Sequence, residues 1–305
     1  MIALVGPTAI GKTELALAIA EKFSGEIIGV DSMQVYRYMD IGTAKPTIQE
    51  RSRVPHHLID VVDPDEDYSV GRYAEDAGQA IQLVLQNYHI PLLVGGTGMY
   101  LRGLLDGLAD FQTADPAVRE SLKQRLAERD GRRQLYEELV RLDPKSAARI
   151  HPNDSQRLLR ALEIYLTTGI PWSQHLQKGQ KDKKLPDILK IGLTCDRDVL
   201  FQRINNRVQQ MIDQGLEGEV RTLLARGYHG DLKSMQAIGY RHMVNYLAGN
   251  WTFAKTVELL ARDTRHYAKR QYTWFMNDPD VNWFQPAQLD GLIRAIEGFL
   301  NAKET

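Results

Sequence analysis

Cysteine is almost missing from this chain: one residue, Cys195, stands among 305. A single thiol forms no disulfide within the chain and builds no cysteine metal site. A reducing compartment, the cytoplasm, is the expected setting. Cys195 ends the apolar run of residues 191–195, which predicts a small buried side chain rather than a nucleophile. Long apolar runs are missing too. No stretch approaches the ~20 residues needed to span a bilayer, so no membrane partner is expected. Residues 1–5 are apolar but short, lack a basic leader and run straight into a glycine-rich motif, which is not the pattern of a signal peptide. A charge excess is the third absence. The formal net charge is −1, which excludes a generic polyanion binder. No internal repeat or low-complexity segment stands out.

What is present is a chain with room for one large domain or two ordinary ones. Its 43% hydrophobic and 25% charged residues describe a globular protein with a real core. The charge is unevenly spread. Residues 113–190 hold sixteen Lys/Arg against eleven Asp/Glu, so this segment carries +5 and the remainder −6. A nucleic-acid contact surface and a solvated helical surface both fit such a segment, and charge alone favours the second.

Short apolar runs at residues 2–5, 26–30 and 91–94 read as buried parallel strands. Helical spacing follows the first, with Leu15, Ala16, Ile19, Ala20 and Phe23 on one side. Ser69 is placed to cap a helix through residue 85. This alternation predicts an α/β fold, a parallel sheet flanked by helices. After residue 111 the pattern changes to helix after helix, with starts at Asp115-Pro116, Asp143-Pro144 and Asn153-Asp154. Residues 179–187 form a polar linker, and strand character returns at residues 190–194. Residues 1–111 and 187–305 thus make one α/β domain, and residues 112–186 an all-helical insertion. Further helices are expected at residues 204–212, 216–226 and 253–275, with a final edge strand at residues 281–284.

Gly6-Pro7-Thr8-Ala9-Ile10-Gly11-Lys12-Thr13 matches G-x-x-x-x-G-K-[ST] at every fixed position, between an apolar strand and an amphipathic helix. Glycines let backbone N–H groups turn inward around an anion. The helix N-terminus adds a positive dipole end, and Lys12 neutralises phosphate charge. The Thr13 hydroxyl can hold a phosphate-bound Mg²⁺. The motif binds a polyphosphate without naming the reaction. No acidic residue ends the strand at residues 91–94, where a nucleotide hydrolase would carry one. Asp31 is the acid that ends a strand, and strand C-termini face the ligand crevice. It can hold metal-bound water, accept a proton from a nucleophile or cap the next segment.

The phosphate loop, followed by Asp31-Ser32-Met33-Gln34-Val35-Tyr36-Arg37-Tyr38-Met39-Asp40-Ile41-Gly42-Thr43-Ala44-Lys45-Pro46, resembles the bacterial tRNA dimethylallyltransferase family (tRNA isopentenyltransferases). So do Pro55-His56-His57-Leu58-Ile59-Asp60, Gly95-Gly96-Thr97-Gly98-Met99-Tyr100, His151-Pro152-Asn153-Asp154, Arg157-Leu158-Leu159-Arg160-Ala161-Leu162-Glu163, Gly239-Tyr240-Arg241 and Ala268-Lys269-Arg270-Gln271. The match runs in order along nearly the whole chain.

The resemblance implies a P-loop NTPase-like core and transfer of a dimethylallyl group from dimethylallyl diphosphate to N6 of adenosine-37 in tRNA. It assigns the diphosphate to residues Gly6, Pro7, Thr8, Ala9, Ile10, Gly11, Lys12 and Thr13 with Arg207, and catalysis to Asp31, Lys12 and Arg207. Arg203, four residues before Arg207, would share its helix face. The tRNA anticodon stem-loop would meet Asp31, Ser32, Met33, Gln34, Thr97, Arg119, Gln156, Arg157, Leu158, Leu159, Arg160, Gln236, Ala237, Ile238, Gly239, Tyr240 and Arg241. Mg²⁺ at Thr13 is the implied cofactor. Eukaryotic relatives add a C-terminal zinc finger; the sequence ends at Thr305 without one, so no zinc is expected, and a monomer is.

Two features stay open on the residues alone. Arg262, Arg265, Lys269 and Arg270, interleaved with Tyr267, Tyr272 and Trp274, fit both a stem contact and a solvated face over an aromatic core. His56, His57 and His151 read as satisfied loop histidines rather than metal ligands. A phosphate-loop kinase, a transferase acting on free adenine nucleotide and a non-catalytic RNA switch are the rival functions. The helical insertion and Arg157/Arg160 argue for a tRNA acceptor.

Overall fold

The computed structural model describes residues 1–107, 115–178 and 185–302. The expected domain boundary at residues 111–112 and most of the expected linker, residues 179–184, lie outside them. Six strands are described: β1 (Ile2–Val5), β2 (Gly25–Val30), β3 (His56–His57), β4 (Ile90–Gly95), β5 (Leu189–Leu193) and β6 (Val281–Phe284). They form one parallel sheet in the order β3-β2-β4-β1-β5-β6. β6 is an edge strand, as its position late in the sequence suggested. The two-residue β3 is too short to leave a sequence pattern.

Parallel neighbours need crossovers, and helices supply them. Lys12–Phe23 links β1 to β2, burying Ala16, Leu17, Ile19 and Ala20. Val70–Gln86 leads into β4, with the Ser69 hydroxyl accepting the Arg72 N–H at its start. β1 and β4, at the centre, carry no polar side chain because both faces are covered. Ile2, Leu4, Leu92, Ile191 and Leu193 share one core with Leu17 and Ile19, and with Leu292 and Ile296 of a C-terminal helix, Leu289–Asn301, not anticipated above. Two register pairs decide where chemistry can occur. Val5 and Val30 both align with Gly95, so the segments after β1, β2 and β4 leave the sheet side by side.

Two compact units divide the chain, Met1–Leu104 with Leu185–Thr305, and Leu105–Lys184. The second is helical in its described residues: Pro116–Ala127, Gly131–Leu142, Pro144–Ala147, Ser155–Thr168 and Trp172–Lys178. Asp115, Asp143 and Asp154 cap three of these helices, accepting the N–H groups of Ala117, Ser146 and Arg157. This unit has its own core of Leu122, Leu135, Leu139, Ala147, Ile150, Leu158, Ala161 and Leu162. A separate core is what lets a segment stand as a unit. Among the described residues no helix is long and apolar enough to cross a membrane.

Candidate active site

The glycine-rich loop leaves β1 at Gly6 and turns into the Lys12–Phe23 helix through Gly11. Gly11 has φ 103°, a conformation that side chains resist. Lys12 is half-buried against the loop, its Nζ donating to the carbonyls of Gly6 at 2.9 Å and Pro7 at 2.7 Å. Burial, reinforced by the charge of Arg207, pulls the Lys12 pKa down to about 7; Asp31 works the other way. Arg207 donates to the Thr8 hydroxyl at 3.3 Å. Arg203, one turn earlier on the Arg197–Asp213 helix, donates to the Ile10 carbonyl at 3.0 Å. The two arginines do share a helix face, and both reach the loop from it. Burial lowers the Arg207 pKa and Asp31 opposes the shift. Pro7 and Ile10 are buried, so Ile10 offers an anion only its backbone N–H, and Pro7, which has none, serves to shape the turn. Thr13 is exposed in the first helical turn and lines the cavity described next.

Asp31 follows β2. Its Oδ1 accepts the N–H groups of Met33 at 2.8 Å and Gln34 at 3.2 Å. Capping and chemistry are thus not alternatives: one oxygen holds the turn, and the carboxylate still faces Lys12 and Arg207 closely enough to shift both. The Thr97 hydroxyl accepts the Ser32 N–H at 3.1 Å, and the Gly96 and Thr97 N–H groups reach the Val30 carbonyl. Beside the loop lies a cavity of about 870 Å³. Thr8 to Thr13, Asp31 to Gln34, Arg207, Gln236 to Ile238, Tyr240 and Arg241 line it. Residues as distant in the chain as Thr8 and Gln271 meet there, which is the strongest mark of a built site. Gly239 is buried behind this wall. Arg241 pairs with Asp263 at 2.7 Å, and Gln236 donates to the Gly230 carbonyl.

Arg119, Gln156, Arg157, Leu158, Leu159 and Arg160 belong to the helical unit. Arg160 and Arg119 pair with the same carboxylate, Glu163, at 2.8 and 3.7 Å, and Arg157 with Asp154 at 3.5 Å. Two expectations need correcting. Leu158 is 0% exposed and packs into that unit's core, so it offers no side chain to a partner, and Leu159 is half-buried against the same core, whereas Gln156 and Arg157 are exposed. Cys195 is half-buried rather than buried, because it sits where β5 has already left the sheet interior. Its thiol lies 3.4 Å from the Asp196 carbonyl, and burial pushes its pKa up.

The basic stripe divides by partner. Arg265 donates to Asn205 and Arg262 pairs with Asp263, while Arg270 stacks over Tyr267 and lines the cavity. The histidines have partners. His57 and His89 both meet the buried carboxylate of Glu26 at 2.6 Å, and His56 meets the Val54 carbonyl at 2.7 Å. Among the described residues no group of three or more His, Cys, Asp or Glu side chains forms a metal cluster.

Two residues, one in the cavity wall and one behind it, carried no role in the sequence. Gln271 reaches the phosphate loop from the Phe253–Met276 helix. Glu219, on the Leu216–Ala225 helix, reaches the turn at residues 40–42. The sequence signal for Gln271 is its place in the family-like string Ala268-Lys269-Arg270-Gln271.

Comparison with known proteins gives the family. The IPP transferase family pattern matches residues 34–278, and an isopentenyl transferase pattern matches residues 1–59. The chain is 54% identical to a tRNA dimethylallyltransferase of Desulfotalea psychrophila, over 93% of this chain and 90% of that protein. It is 52% identical to one of Desulfosudis oleivorans, over 96% and 92%. Its fold matches the crystal structure of the full-length tRNA isopentenylpyrophosphate transferase of Bacillus halodurans with a TM-score of 0.70 and 43% identity, covering 99% of this chain and 95% of that one. It matches a eukaryotic dimethylallyltransferase acting on tRNA with a TM-score of 0.83 and 31% identity, covering 99% and 79%. The chain belongs to the IPP transferase family.

Proposed function

We propose that this chain transfers a dimethylallyl group from dimethylallyl diphosphate to N6 of adenosine-37 in tRNA, releasing diphosphate. One observation carries the reading. A phosphate-binding loop and the strand-end carboxylate of Asp31 line one cavity and are coupled through Lys12 and Arg207.

The adenine N6 amine is a poor nucleophile, because its lone pair is delocalised into the purine. Asp31 orients the amine and takes its proton as the N6–C1 bond forms. The C1–O bond breaks with its electrons going to the diphosphate. Loop N–H groups, Lys12 and Arg207 stabilise that developing charge. Thr13 and Asp31 offer hard oxygen donors in one cavity, the donor chemistry suited to Mg²⁺. When bound at Thr13, the ion would neutralise part of the leaving group's charge. The adenine must leave its stack to reach Asp31, at a cost that a single-stranded loop keeps to a few kcal/mol. Gln34, Gln236, Tyr240 and Arg241 form the wall that receives it. Arg119, Arg157 and Arg160 of the helical unit supply phosphate contacts to the anticodon stem-loop. The substrates locate the reaction in the cytoplasm.

The test is incubation with labelled dimethylallyl diphosphate and unmodified tRNA, followed by nucleoside analysis. Label in N6-(dimethylallyl)adenosine is the expected result. Phosphoryl transfer from ATP without labelled nucleoside would replace this reading with a kinase.

A further inference from the structure

Glu219 does not line the cavity, yet its carboxylate gathers four hydrogen bonds. Oε2 accepts the backbone N–H groups of Asp40 at 2.9 Å and Ile41 at 2.8 Å. Oε1 accepts the Gly42 N–H at 3.1 Å and the Tyr240 hydroxyl at 2.6 Å. Three successive N–H groups aimed at one anion fix the shape of a turn, since hydrogen bonds to a charged acceptor are the stronger kind. The turn is also pressed onto Tyr240: a Cβ added at Gly42 would stand 2.5 Å from its ring. The next two residues extend the constraint into the cavity. The carbonyls of Thr43 and Ala44 accept the side-chain amide of Gln34 at 3.2 and 3.3 Å. Gln34, Gly42 and Tyr240 all line the cavity that holds Asp31.

We infer that Glu219 is a positioning residue for the acceptor nucleoside: it pins the Gly42 turn to Tyr240, so that Gln34 and Tyr240 present one fixed wall beside Asp31. The inference rests on the reading of that wall as the acceptor side. None of the hydrogen bonds that shape the phosphate loop, from Lys12, Arg203, Arg207 or Gln271, involves Glu219. Loss of Glu219 therefore acts on one substrate and spares the other. A residue that only supported the fold would weaken both.

Glu219→Gln keeps the size and one acceptor oxygen but turns an amide NH₂ toward N–H donors. The expected result is a tRNA KM raised roughly tenfold, about 1.4 kcal/mol. The KM for dimethylallyl diphosphate stays within about twofold, because that side of the site is untouched. Tyr240→Phe removes one of the four bonds and keeps the ring, so its tRNA KM rises less, about threefold. This variant decides the matter if Glu219→Gln does not fold. An unchanged tRNA KM in a folded, active variant overturns the inference, and so does an equal rise in both KM values. A wild-type chain that places no dimethylallyl group on tRNA overturns the underlying reading, and this inference falls with it.

Discussion

Gln271 holds Thr8 by its backbone: the side-chain Oε1 accepts the Thr8 N–H at 2.8 Å, while Nε2 donates to the Gly96 carbonyl at 3.0 Å. One buried amide thus ties the phosphate loop to the end of β4, using both its acceptor and its donor. Gln271→Glu keeps the acceptor but sets a second oxygen against the Gly96 carbonyl and adds negative charge beside the diphosphate. Leaving a buried polar group unmet costs about 1–3 kcal/mol. The expected outcome is a lower Tm and a KM for dimethylallyl diphosphate raised at least tenfold, on the order of 1.4 kcal/mol. Gln271→Ala should raise that KM less than Gln271→Glu. Steady-state kinetics on the two variants checks the order, and a reversed order would show that charge plays no part.

This bridge also marks where the sequence stops speaking. The phosphate loop could be read directly because its residues are consecutive and each fixed position has a backbone reason. Asp31 could be read because a strand end in a parallel sheet has a known place. Asp115, Asp143 and Asp154 announced their helices through local caps. Gln271 and Glu219 could not be read this way. Their backbone partners lie 175–263 and 177–179 residues away, and no local pattern encodes a contact of that range. Leu158 failed for a different reason. A motif string groups residues by adjacency, whereas on a helix adjacent residues face different ways, one into the core and the next into solvent.

Lys12 should make diphosphate binding pH-dependent. Its pKa falls from 10.5 in the unfolded chain to about 7 in the fold, chiefly through burial. Between those values the unfolded chain holds a proton that the folded chain has released. The cost of the buried ammonium is therefore fully present below about pH 7 and is relieved as pH rises towards 10.5. A bound diphosphate reverses the balance by favouring the cation. Binding near pH 8.5 should then take up roughly one proton, a pH at which a phosphate group with a pKa of about 6 no longer titrates. Calorimetry in two buffers of different ionisation enthalpy measures the uptake. Lys12→Arg stays charged throughout and should abolish it.

Asp31→Asn separates the two tasks of that residue. An asparagine Oδ1 can still accept the Met33 and Gln34 N–H groups, so the turn after β2 should hold. The variant cannot take the N6 proton. General-base assistance is typically worth about 10²–10⁴ in rate, and kcat should fall by that order. The Kd for tRNA should move by less than about threefold, because the recognising wall is intact. Single-turnover kinetics with a filter-binding Kd tests both halves. Turnover near that of the wild type would remove Asp31 from the mechanism.

In the helical unit, Glu163 offers a test in which stability and function should part. Its side chain is only 3% exposed, yet it serves Arg160 at 2.8 Å and Arg119 at 3.7 Å, which are 35% and 65% exposed. A buried carboxylate is costly to desolvate, and replacing one by an apolar residue of similar volume is often neutral for stability. Glu163→Leu should therefore keep its Tm within a few degrees, about 1 kcal/mol, since both arginines can reach water. The aim of those arginines should be lost with their common anchor, raising the tRNA KM by roughly tenfold, about 1.4 kcal/mol. The number of cations is unchanged, so the dependence of tRNA affinity on salt should keep its slope. Arg157→Ala, by contrast, should lower that slope by about one. Binding titrations over a salt series distinguish the two effects. A folded Glu163→Leu chain that binds tRNA as tightly as the wild type would mean that Arg119 and Arg160 need no acidic anchor to find the RNA.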